Sequence, residues 1–237
     1  MDTHLHHDHV ESHLKSSAAL TDIVIGMSDG LTVPFALAAG LSGAVASSSI
    51  IVIAGIAEIC AGSIAMGLGG YLAGKTEVDH YDAELKREYW EVDHLPEREK
   101  QEIRDVLADY GISLAAQNQV AEELAKDKDK WVDFMMKFEL GLEKPHPDRA
   151  KKSAFNIAAS YVVGGFIPLS AYFFTDHPHE GIIYSSIITL IALAAFGYFK
   201  SKVTGQSPIK GAIRTTLVGA LAASAAYFIA TWIDKVM

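Results

Sequence analysis

Apolar residues gather into five long runs, and the runs are unevenly spaced. They cover residues 22–44, 49–75, 153–174, 181–199 and 211–233. A helix needs about 20 apolar residues to cross roughly 30 Å of bilayer hydrocarbon. The pattern therefore predicts five spanning helices, with the chain termini on opposite sides of a membrane. Pro34 and Pro168 fall inside the first and third runs, where a missing amide donor predicts kinks. Gly26 and Gly30 form a small-xxx-small pair that lets another helix approach closely. With Ala61 and Ala65 on the second run, they suggest a face for a two-fold dimer.

Between the second and third runs the pattern changes. Residues 76–150 read as three or four amphipathic helices. The first, over 77–92, can continue the second span without a break. Pro96 starts the next, with Glu97 and Glu99 in its first turn, where acids suit the helix dipole. Gly111 ends it, Ser113 is placed to cap a third, and 129–140 forms the last. The organisation expected is a tail at 1–16, two spans within 17–75, an insert at 76–150 and three spans within 151–237.

Charge sharpens this division. The insert holds 20 Asp and Glu against 11 Lys and Arg, so the chain's whole net charge of −9 resides there. The mean hydropathy of +0.19 is modest only because this block dilutes the apolar runs. No basic footprint for nucleic acid is present. Lys and Arg cluster at one set of span ends, including Lys75, Lys144, Lys152, Lys200 and Lys210. The positive-inside rule then places the tail and insert in the cytosol and the C-terminus on the far side. Cys60 is the one cysteine, which excludes an intrachain disulfide and a zinc cluster. Residues 1–17 lack the apolar core of a signal peptide, so insertion is expected to rely on the first span.

Several residues are candidates for chemistry. Asp22, Asp29 and Glu58 lie within or at the ends of apolar runs, where a carboxylate is costly and usually faces a polar path. Met66, eight residues from Glu58, reads either as a soft ligand or as a lipid-facing side chain. In the insert, Glu84, Glu88 and Glu91 follow at i, i+4 and i+7 on one helix face, and Glu99 and Glu102 at i and i+3. Met135, Met136 and Glu139 stand on the last helix. Facing ExxE steps can surround a divalent ion, and thioethers tilt preference towards transition metals. Solvated helix faces are the alternative reading of the same acids. Glu91–His94 and Glu77–His80 are Glu-x-x-His steps, but both fall on one helix, which suits a di-iron oxidase poorly. His4, His6, His7, His9 and His13 make the tail either disordered or a weak metal trap. Gly67, Gly69 and Gly70 sit in a span and read as packing, not as a nucleotide loop. With no ATP site, an ion gradient is the expected energy source.

The stretches DIVIGMSDG at 22–30, EICAGSIAMGLGG at 58–70 and YLAGKTEVDHY at 71–81, with the acidic insert, resemble the plant-type vacuolar iron transporters. The resemblance covers nearly all of the chain except the His-rich start, and the insert separates this type from shorter nodulin-like relatives. It implies an all-α membrane protein with five transmembrane helices and a cytosolic acidic metal-binding insert. It implies a homodimer that exports Fe²⁺ from cytosol to vacuole in exchange for protons, with no prosthetic group. Asp29, Glu58 and Met66 would line the path. Glu88, Glu91, Glu99, Glu102, Met135, Met136 and Glu139 would bind metal in the insert, with Mn²⁺, Co²⁺ and Zn²⁺ as further ions. Asp22 and Glu84 stand at the margins of these sets. A membrane-anchored di-iron ferroxidase, and a metal store or sensor without transport, are the alternatives.

Overall fold

The computed structural model describes residues 18–236, so the histidines of the tail lie outside the described residues. Eight α-helices follow in order: α1 (Ala18–Ser42), α2 (Ser48–His94), α3 (Pro96–Asp109), α4 (Leu114–Leu124), α5 (Lys128–Phe134), α6 (Arg149–Leu169), α7 (Pro178–Val203) and α8 (Pro208–Val236). Five of them are long and apolar enough to cross a membrane: α1, α2, α6 with its continuation to Phe173, α7 and α8. The described chain forms two compact units, one from residues 18–70 and 152–236, the other Tyr71–Lys151.

In the first unit, close packing depends on missing Cβ atoms. A Cβ on Gly26 would strike the Ile157 carbonyl and the Ser160 hydroxyl, and one on Gly30 would strike the Tyr161 backbone. From the other side, a Cβ on Gly164 would come within 3.0 Å of the Gly30 backbone. The small-xxx-small pair is thus occupied by α6 of the same chain, and the expectation that it offers a dimer face is corrected. Ala61 and Ala65 do remain exposed, beside Ile64 and Leu68 on α2. Gly197 and Gly211 bring α7 and α8 together in the same manner. Apolar clusters fill the remaining space, among them Ala38, Ile51, Ile59, Leu169 and Tyr172. Both helices run through their prolines, and α6 tightens into a 3₁₀ turn, Ser170–Phe173, just after Pro168.

The second unit begins on α2. That helix is a single run of 47 residues, so the 77–92 segment continues the span without a break. It ends before Pro96, because the residue preceding a proline is pushed out of helical geometry; Leu95 has φ −129°. α3 closes through Tyr110 into Gly111, whose φ of +74° favours glycine. Ser113 takes the capping position with extended backbone, but its hydroxyl bonds no helix amide. Gln117 instead steadies the turn by donating to the Ile112 carbonyl at 2.6 Å.

The last helix of the insert departs from the single segment expected at 129–140. Asp127 caps α5 by accepting from the Lys130 amide. α5 then widens into a π turn, Met135–Glu139, in which the Leu140 amide reaches back five residues to the Met135 carbonyl. Tyr81, Val92, Ile103, Trp131, Val132, Met135 and Met136 form the core beneath. Lys128 to Asp93 at 2.6 Å and Tyr89 to Asp129 at 2.8 Å tie α5 to α2 at the surface.

Candidate metal centre

Glu88 and Glu91 are three residues apart on α2, and Glu99 lies in the first turn of α3. The Leu95–Pro96 corner folds α3 back so that the three meet. One carboxylate oxygen from each lies within 4.8 Å of the other two. All three residues are buried, Glu99 completely. Neither oxygen of Glu99 has a hydrogen-bond partner, and Glu88 Oε2 has none. An unsatisfied buried polar group costs about 1–3 kcal/mol, and more when charged. A fold keeps such a cluster only with protons or a cation to neutralise it.

The electrostatics follow from that burial. Desolvation first, then the Glu102, Glu88, Glu91 and Glu139 charges, push Glu99 up to about 8. Desolvation and then the Glu139, Glu91 and Glu102 charges push Glu88 up to about 7. Glu139 is raised too, by desolvation and then Glu102 and Glu91. Near neutral pH the empty cluster therefore holds protons that a divalent ion would expel.

The other insert candidates have varied settings. Glu102 and Glu139 line an open groove of about 550 Å³ together with Asp105, Asp109, Tyr110 and Phe138. Met135 and Met136 are buried in the core on the π turn, an irregularity common at functional sites. Arg87 holds Glu91 at 3.2 Å and Arg98 holds Glu102 at 3.0 Å, yet both arginines are largely exposed. Glu84 stays outside the convergent trio, within 3.8 Å of Arg87. His94 is exposed, stacked on Trp90 and bonded to the Trp90 carbonyl at 2.8 Å. The Glu91–His94 step therefore does not bring two ligands together.

The membrane carboxylates have a different setting. Glu58 accepts a hydrogen bond from Tyr161 of α6, and its second oxygen is buried without a partner. The Tyr161 ring sits where Gly62, one turn along α2, leaves room for it. Tyr161 also lies within electrostatic reach of Asp29. Asp29 and Met66 are half-buried. Asp22 is buried and takes a hydrogen bond from Ser153 Oγ at 3.0 Å. Sequence reasoning missed Tyr161 and Ser153. Their hydroxyls meet the carboxylates 103 and 131 residues away, and no local spacing signals such a pairing. A tyrosine and a serine on the inward face of an apolar span are the only cue.

Comparison with known proteins adds an independent line. A family model described as the VIT family matches residues 20–231. Vacuolar iron transporter 1 of Tulipa gesneriana is 53% identical over 229 residues, covering 97% of this chain and 93% of its own. Vacuolar iron transporter 1 of Arabidopsis thaliana is 54% identical over 222 residues, covering 94% and 89%. A fungal vacuolar iron transporter, from Arthroderma benhamiae, is 38% identical over 223 residues, covering 91% and 80%.

Proposed function

The chain belongs to the VIT family, and on that premise we propose that it carries Fe²⁺ from the cytosol into the vacuole in exchange for protons. It is a transporter and not an enzyme, and Fe²⁺ is its substrate. The observation that carries the reading is the trio Glu88, Glu91 and Glu99, buried together with three oxygens unpartnered. Such a group suits an ion that sheds its water for carboxylate oxygens. Glu102 and Glu139 would feed it from the acidic groove, and Met135 and Met136 would add thioethers that favour Fe²⁺, Co²⁺ and Zn²⁺ over harder ions. Mn²⁺ would bind through the carboxylates alone. A concentration of negative charge raises the local supply of cations.

Within the membrane, Asp29, Glu58 and Met66 would form the path, with Tyr161 holding Glu58 in place. Asp29 would be the proton switch: a carboxyl in low dielectric favours its proton when alone and gives it up to a divalent ion. Asp22, bonded to Ser153, would brace α1 against α6 at one end of the path. A homodimer would pair the exposed face of α2 around Ala61, Ile64, Ala65 and Leu68. The vacuolar membrane would hold the insert and N-terminus on the cytosolic side and the C-terminus in the lumen, in keeping with the Lys and Arg at the span ends.

The test uses full-length protein in sealed vesicles with a pH dye inside and Fe²⁺ added outside without oxygen. Iron should enter as the interior turns alkaline. Asp29→Asn should abolish both movements and leave metal binding by the insert intact. Iron entry with no pH change would refute the exchange.

A further inference from the structure

Where α7 gives way to α8, the membrane unit opens into a polar cavity of about 570 Å³. Lys200, Lys210 and Arg214 line it, with Ser28 and Thr32 of α1 opposite. None of these three bases has an ion-pair partner among the described residues. In the insert, by contrast, Arg87, Arg98, Lys100 and Lys128 each hold a carboxylate.

Lys200 has an ordinary explanation, because a cation in the last turn of α7 complements the helix dipole. Lys210 and Arg214 do not. Lys210 stands in the first turn of α8, which begins at Pro208, where the dipole repels cations, and Arg214 stands one turn further along the same face. Two like charges placed beside a helix N-terminus call for an anion. A metal cation has no reason to enter. The cavity wall continues to Val218, and α8 beyond the basic rim exposes Ile213, Leu217 and Val218. The surface thus passes from phosphate-binding to acyl-chain character within a few turns of one helix.

We propose that this cavity binds the phosphate headgroup of an anionic phospholipid, with Lys200, Lys210 and Arg214 as its counter-charges and α8 as the flank for its chains. Basic pockets between membrane helices commonly serve this purpose. The bound lipid would clasp the α7–α8 turn to α1.

The experiment measures lipid affinity of the full-length protein in phosphatidylcholine nanodiscs, by titrating in phosphatidylinositol phosphate. At about fivefold for each counter-charge removed from the cavity, Lys210→Gln with Arg214→Gln should weaken binding about 25-fold. Lys202→Gln, a neighbouring charge outside the cavity, should change it less than twofold, and Lys210→Arg with Arg214→Lys should retain it. Circular dichroism and size exclusion would check that the variants fold. Equal loss in Lys202→Gln would mean diffuse surface attraction and overturn the site, as would no preference over phosphatidylcholine. Inositol hexakisphosphate and inorganic phosphate, added to protein in neutral detergent, separate the sources. Tight, Arg214-dependent capture of either, without any for the lipid, would overturn the lipid assignment.

Discussion

The carboxylates of the membrane unit and those of the insert are both kept from water, but by opposite means. In the membrane unit two of the acids take a hydroxyl from α6: Tyr161 for Glu58, Ser153 for Asp22. Helices brought together by glycine deliver those partners. In the insert the acids face one another, and Glu99 has no hydrogen-bond partner at all. The difference separates two tasks. A hydroxyl partner fixes a carboxylate while leaving it free to exchange one proton or ion. A cluster of buried acids with three oxygens left unpartnered is unfavourable without a counter-charge and gains most from an ion with two charges.

The contrast can be broken most forcefully at Gly30. Gly30→Val would drive a side chain into the Tyr161 backbone, an overpacking that costs about 1–3 kcal/mol or more. Loss of the folded peak in size exclusion is the expected readout. Gly111→Ala, in the insert, meets no neighbour and strains only one backbone angle, so it should cost less. Next comes Glu99→Gln, which removes one of the proposed ligands. Losing even an outer-sphere partner typically weakens metal affinity about 10–100-fold, so at least that loss is expected in Co²⁺ titrations of full-length protein. Tyr161→Phe should slow vesicle transport while leaving those titrations unchanged.

Stability against pH sharpens the comparison further. Without metal, the folded cluster holds protons that the unfolded chain releases near the ordinary 4.5. The cluster's contribution to the stability of the metal-free protein is therefore fullest below that value and is lost as pH rises towards about 8. Glu88→Gln with Glu99→Gln should flatten the slope of thermal midpoint against pH. The smallest effect is expected from Met135→Leu with Met136→Leu. The swap conserves volume and costs under about 1.5 kcal/mol, but it should weaken Co²⁺ and Zn²⁺ more than Mn²⁺.

Much of this architecture is legible from local pattern. Run length alone predicts five spans, and the i, i+3 spacing is enough to put Glu88 beside Glu91 on a helix. Pro96 marks the corner that brings Glu99 to them. What local pattern cannot carry is the identity of a partner far along the chain. Gly26 and Gly30 announce close approach, but only the fold shows that α6 of the same chain takes it. Tyr161 looks like any aromatic in an apolar run until Glu58 is placed next to it. The π turn at Met135 has no counterpart in the apolar spacing of its segment, which reads as continuous helix. The bases around the α7–α8 turn look like ordinary span-end charges until their lack of partners is visible.

The central claim is that the insert's buried trio binds a divalent ion by giving up protons. Calorimetric titration of full-length protein with Co²⁺ near neutral pH, repeated in buffers of different ionisation enthalpy, measures this directly. The account requires heat that changes with buffer, showing proton release on binding, and a smaller release above the raised values of Glu88 and Glu99, at about pH 9. Glu88→Gln with Glu99→Gln should lose both the affinity and the buffer dependence. Binding of undiminished affinity in that variant, or heat identical in every buffer, would contradict it.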